Sequence, residues 1–329
     1  YSNDITKYCK RIKIMFYKLI KVLPTAICGL ALGIASLSNL LFNMSWYGLA
    51  VLFFILSCII LVLFIKKCIL YPHTVYNELS DRHICATFPT FPMALMTIIY
   101  IIKHHLNVNL GLLLWLWWLT IIIQFIIIAG FIYYHLILPN KGTVLPNTSW
   151  FVTFVGIGVI AETAKEFNPV LGEFTVYIAT FCFIILIAII LIKKNWRLYN
   201  ENQFPMSIII AAPAELCLNG FLISAKSNDI IIMVSGFIIS QLLFMVSLMF
   251  IPKLVAINFK FSFAALTFPW VTTATAYFNF MIHVRFPSVL QNLLQFMLIC
   301  EIIFALLAVV YVILGYIVFL RKRINNNVF

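Results

Sequence analysis

Charge is what this chain has least of. Lys, Arg, Asp and Glu make up 10% of its 329 residues and hydrophobic residues 64%, where soluble domains carry about 25% charged and about 45–50% apolar residues. A soluble globular domain is excluded. Catalytic patterns are missing as well: there is no HExxH, no paired aspartate within an apolar run and no Asp-rich prenyl-diphosphate motif. His104 and His105 are adjacent, so on a helix they point in different directions. Neither CxxC nor Cys/His ligand spacing occurs among the eight cysteines, which read as small hydrophobes and reduced thiols. The basic stretch 1–21 lacks the uninterrupted apolar core and small-residue cleavage site of a signal peptide. No enzyme activity, cofactor or metal site is expected.

What the sequence has is long apolar runs. They are about 18 to 28 residues long, the length of helices that cross roughly 30 Å of hydrocarbon, and they lack the ten-residue alternation of a membrane barrel. The expected fold is an all-α integral membrane protein with ten spans, near 22–42, 46–65, 86–102, 110–137, 149–164, 172–192, 204–223, 230–251, 261–281 and 291–320. Three regions follow: a basic amphipathic segment over 1–21, a transmembrane domain over 22–320 and a short tail over 321–329. Segments on the side of both termini hold 18 of the 22 Lys and Arg residues; only Lys103, Lys165, Lys226 and Arg285 lie on the other. This bias places both termini in the cytoplasm of a multi-pass protein of the plasma (inner) membrane. The net charge of +12 therefore reflects topology, and no nucleic-acid partner is expected.

The spans alternate in character. Even-numbered ones, such as YGLAVLFFILSCIILVLFI from Tyr47, are bulky and apolar all round. Odd-numbered ones open near a proline, and four of the five are rich in small or hydroxyl residues, as in PTAICGLALGIASLSN and FSFAALTFPWVTTATAYFNF. Small residues let helices approach closely, and hydroxyls bond across a bundle or to water. Each odd span is followed by a lipid-like partner. The pattern reads as five helical hairpins, with the odd helices as an inner ring around a central pore and the even ones outside.

The ninth span carries a Phe-Pro pair, Phe268 and Pro269. A proline in a span needs its freed carbonyl satisfied by neighbouring protein or water, so this helix belongs inside the bundle, with Phe268 beside a kink as the candidate closure. Two carboxylates sit well inside spans, Glu215 in the seventh and Glu301 in the tenth. Ionisable residues at that depth are functional candidates: Glu215 for the conduit or for proton coupling, against a neutral structural glutamate, and Glu301 for packing. No arginine or lysine occupies the central turns of the odd spans. Either helix dipoles, kink backbone and a cationic mouth supply selectivity, or the substrate is not an anion.

Four motifs in order, PTAICGLALGIASLSNL, PNTSWFVTFVGIGV, AAPAELCLNGFL and FAALTFPW, resemble the tellurite-resistance/dicarboxylate transporter (TDT) family. It includes TehA-like bacterial proteins, fungal malate and sulfite transporters and the slow anion channels of plant guard cells. The resemblance implies a homotrimer with a pore in each subunit, passing small inorganic or carboxylate anions such as chloride, nitrate or malate. It implies that Phe268 is the pore gate and that Gly29, Gly33, Gly156, Pro213 and Pro269 are pore-lining or kink positions. Glu215 departs from the family's APA motif, where an apolar residue follows. That departure favours, as the alternative, a proton-coupled C4-dicarboxylate or sulfite/tellurite exporter using Glu215.

Overall fold

The computed structural model describes residues 15–138, 145–193, 199–224 and 229–325. Most of the basic segment 1–21 and the end of the tail thus lie outside the described residues. All described regular structure is helical: α1 (Met15–Val22), α2 (Ile27–Asn43), α3 (Tyr47–Leu70), α4 (Pro72–Leu79), α5 (Arg82–Thr87), α6 (Thr90–His104), α7 (Gly111–Ile132), α8 (Trp150–Phe154), α9 (Gly158–Thr163), α10 (Pro169–Lys193), α11 (Ala212–Ser224), α12 (Ile230–Leu248), α13 (Ile251–Ala256), α14 (Thr267–His283) and α15 (Ser288–Asn325). Short 3₁₀ stretches cover Phe204–Ala211 and Phe261–Leu266.

Among the described residues, seven helices are long and apolar enough to cross a membrane, or eight if α1 and α2, bent by 92°, count as one span. The other two expected stretches, 149–164 and 261–281, are interrupted. A turn at 155–157 separates α8 from α9, and the ninth begins as 3₁₀ helix before the 17-residue α14. A β-carbon on Gly156 would strike the Val152 carbonyl, so the turn needs glycine there.

Prolines mark starts. Pro72, Pro205 and Pro252 occupy the first turns of their elements, where a missing N–H costs nothing. Pro213 and Pro269 likewise fall in the first turns of α11 and α14. The kink expected within the ninth span is instead a junction between 3₁₀ and α helix, because the proline's lost donor is tolerated at the beginning of the α segment.

Two helix populations pack differently. α2 and α11 are buried almost throughout, whereas α3, α7, α10, α12 and α15 expose Leu, Ile, Val and Phe along their length. The buried stretches touch in sequence: α2 meets α6, α6 meets α9, α9 meets α11, α11 meets α14, and α14 returns to α2. Each also touches the exposed helix that follows it, in the pairs α2–α3, α6–α7, α9–α10, α11–α12 and α14–α15. An apolar helix exposed on one side has no aqueous resting place, and lipid covers it.

A polar latch fixes the start of α2. Lys67, fully buried, donates to the Leu23 carbonyl (2.5 Å) and pairs with Glu78. The other Glu78 oxygen accepts from the Thr25 N–H (2.7 Å) and from its hydroxyl. Lys67 is buried while Glu78 keeps partial contact with solvent, so removing the lysine leaves a partly hydrated carboxylate, at a cost below the roughly 3–5 kcal/mol of a fully buried pair. Lys67→Met is therefore expected to melt at a lower temperature in detergent, and adding Glu78→Gln should recover part of the loss. A melting temperature unchanged in Lys67→Met would show that the latch contributes nothing.

Candidate functional site

Two cavities lie along the axis of the five buried stretches, and every one of those stretches lines both. The first is apolar and takes Ala26, just before α2, and Gly29 from α2, Thr90 and Met93 from α6, Val152 and Gly156 from the α8–α9 segment, Pro213 and Leu216 from α11, and Ala265, Phe268 and Pro269 from the ninth stretch. The second is larger and more polar. It takes Ser36, Asn39 and Asn43 from α2, Thr97, Tyr100 and His104 from α6, Glu162 and Thr163 from α9, Lys165 just beyond it, Asn219 from α11, and Thr272, Thr275, Asn279 and His283 from α14.

The spacing explains how one helix serves both. Beside 269, 282 and 283 on α14 and 213 and 222 on α11, the lining positions run 268, 272, 275 and 279 along α14 and 212, 216, 219 and 223 along α11. These are steps of three and four, a single stripe on a 3.6-residue helix. On α2 the stripe passes from Gly29 to Ser36 through Gly33, which lines neither cavity. There the helices are in direct contact. A β-carbon on Gly33 would lie 2.9 Å from the Phe268 amide nitrogen and closer still to the Thr267 side chain. Thr267 donates from its hydroxyl to the Ala264 carbonyl (2.8 Å) and to Gly29 (3.2 Å) across the interface. At this level α2 and the start of α14 pack directly through Gly33, Thr267 and the Phe268 backbone, and Phe268 is 6% exposed.

Of the residues singled out from sequence, Gly29, Gly156, Pro213, Phe268 and Pro269 line the first cavity together. Gly33 sits at the helix contact above it. Glu215 stands apart. It is fully buried, lines neither cavity, and its closest ionisable neighbour is Glu301, with Ser240 alongside. Neither Glu215 carboxylate oxygen has a hydrogen-bond partner, and one oxygen of Glu301 also lacks one.

Sequence reasoning passed over Glu162, Asn219 and Asn279 of the second cavity, which fall near span ends. Asn219 donates to Glu162 Oε1 (2.5 Å), and Asn279 donates to the Asn219 carbonyl oxygen. Three residues 57 and 60 positions apart in sequence are thus one hydrogen-bonded chain across α9, α11 and α14. His104 bonds to Glu166 (2.7 Å) and stacks on Tyr100, while His105 stacks on Phe42 and meets Asn39 (2.9 Å). Burial, followed by the neighbouring His104 charge, pushes His105 down to about 4. At neutral pH it carries no charge. The signal available in sequence was the stripe itself, on which 219 and 279 continue the steps of 216 and 275.

Among the described residues no group of three or more His, Cys, Asp or Glu is arranged to hold a metal ion. The chemistry on offer is instead an apolar cavity and, lined by the same stretches, a second one of hydroxyls, amides and a few charges. No curated protein sequence matches the chain at a significant level. A family model described as voltage-dependent anion channel (SLAC1) matches residues 22–319, nearly the whole chain and all of the stretches that line the two cavities, and the chain is a multi-pass membrane protein belonging to that family.

Proposed function

We propose that the two cavities are halves of one anion conduit, closed at its neck by Phe268. The observation that carries this reading is that all five buried stretches line both cavities, with Phe268 and Gly33 at the level between them. On this reading the chain is a ring of five helical hairpins, the odd spans inside and the even spans in lipid, ten spans in all. Both cavities are built from a single chain, which supports a conduit in each subunit of a trimer. Small anions such as chloride or nitrate, or dicarboxylates such as malate, pass with their charge balanced by backbone dipoles, hydroxyls and the basic segments at the cytoplasmic face. Both termini lie in the cytoplasm at the plasma membrane, with the basic N-terminal segment on the anionic leaflet.

A second reading, a proton-coupled exporter of C4-dicarboxylates, sulfite or tellurite, draws support from Glu215. A fully buried carboxyl without a partner, beside a second buried carboxyl, is costly unless it serves a purpose or holds a proton. One experiment separates the two. In reconstituted bilayers, replacing chloride on one side by a large organic anion should displace the reversal potential, and replacing the cation should leave it in place. A potential that follows the cation would end the anion reading. A saturable flux that vanishes without a pH gradient would favour the exporter.

A further inference from the structure

The second cavity holds an acid in what is read as an anion path. Glu162 is half-buried on the cavity wall, while a cation, Lys165, lies one turn along and is exposed. An ionised carboxylate in a confined, partly desolvated space repels an anion strongly, since the interaction grows as the effective dielectric falls. A protonated one has the opposite effect. Asn219 already engages Oε1, so a proton on Oε2 turns that oxygen into a hydrogen-bond donor facing the cavity.

Resting on the conduit reading above, we propose that Glu162 is the selectivity residue of the wide chamber, admitting an anion only together with a proton on its own carboxyl. The proton passes from water to Oε2 as the anion arrives and returns to water as the anion departs, so the pair crosses this level without net charge on the side chain. Asn279 and Asn219 hold the carboxyl in place: their amides are donors toward it, in line, and cannot themselves take up a proton. The Asn219 side chain is 2% exposed, so the donor is fixed in direction.

Other titratable groups face the same chamber and must be separated from it. Tyr100 and His104 come from α6, with His104 held by Glu166 of the turn after α9. Lys165 comes from that same turn. His283 comes from α14, where its Nδ1 meets the Asn279 carbonyl (2.8 Å). From α2 and α11 the polar lining is Ser36, Asn39, Asn43 and Asn219, none of which titrates.

The test uses the full-length protein in bilayers, with Phe268→Ala as the background so that current is measurable. As the pH on the side of the second cavity rises, chloride current should fall by up to about tenfold per unit, the limit for a single proton. Glu162→Gln, a permanent neutral, should conduct as the acid form does at every pH. His104→Gln and His283→Gln should keep the falling profile, and pH on the other side should have no such effect. Asn219→Ala removes the donor that favours the ionised form and should move the profile to higher pH, which provides a second arm if Glu162→Gln does not survive purification. A Glu162→Gln profile identical to its parent, or one flattened by the histidine variants instead, overturns the proposal. A readout without current keeps this separate from the conduit reading. Because coupling is reciprocal, chloride added to unbuffered purified protein should draw in protons, and Glu162→Gln should not. If no variant conducts but this uptake is present and lost in Glu162→Gln, the conduit is wrong and the site stands; absent uptake in the parent protein overturns the site.

Discussion

Phe268→Ala should raise anion current steeply while leaving the protein folded. The ring borders the apolar cavity at the first turn of α14, and one turn further on Thr272 already lines the polar chamber. An apolar constriction stops ions by excluding the water that hydrates them. Trimming the side chain to a methyl widens and wets that level. Each ~1.4 kcal/mol removed from the barrier is about tenfold in rate, so a rise of at least about tenfold is expected. The opposing effect is lost packing, about 3–5 kcal/mol for a phenylalanine cut to alanine in a filled core. Here the ring borders the apolar cavity on one side, so fewer packing contacts are lost than in a filled core. Currents in bilayers for the parent, Phe268→Ala and the control Phe278→Ala decide between them: an intact Phe268→Ala protein that conducts no better than its parent rules out the gate.

The second large effect is expected at Gly33, and Gly29 is its matched control. A β-carbon on Gly29 would meet the Ala264 β-carbon at 3.6 Å, an ordinary contact, whereas on Gly33 it would press on the Thr267 side chain and lie 2.9 Å from a backbone nitrogen. Side chains can swing aside; the Phe268 amide cannot. Gly33→Ala must therefore push the beginning of α14 away from α2, at roughly the 1–3 kcal/mol typical of overpacking. Gly29→Ala should be neutral or slightly stabilising, because alanine is the better helix former. In the Phe268→Ala background, Gly33→Ala should also change conductance, since the proposed conduit has its neck at the same contact. Melting temperatures of the two alanine variants differing by less than a degree would show that this contact is not tight.

The membrane class, the alternation of spans and the buried character of α2, α11 and α14 were legible in the sequence because each depends on composition averaged over many residues. The first cavity was partly legible too. Gly29, Gly156, Pro213, Phe268 and Pro269 are residues with unusual backbone or bulk, and they meet there. The second cavity was not. Asn219, Asn279 and Glu162 are unremarkable singly, and only the packing of α9, α11 and α14 brings them into one hydrogen-bonded chain. Glu215 shows the converse. An acid on an interior helix draws the eye, but which way it faces depends on the phase of the stripe, and that phase is fixed only by what α11 packs against.

The 3₁₀ stretch before Phe268 has one further consequence. A 3₁₀ helix rises about 2.0 Å per residue and an α-helix about 1.5 Å. Over the six residues Phe261–Leu266, the difference comes to about 3 Å of axial slack immediately before Phe268. Meanwhile the start of α2 is pinned by Lys67 and Glu78. Rewinding those two turns would draw Phe268 lengthwise past a stationary Gly33, in the manner of a bolt withdrawn along its own axis, and the neighbouring helices would not have to part.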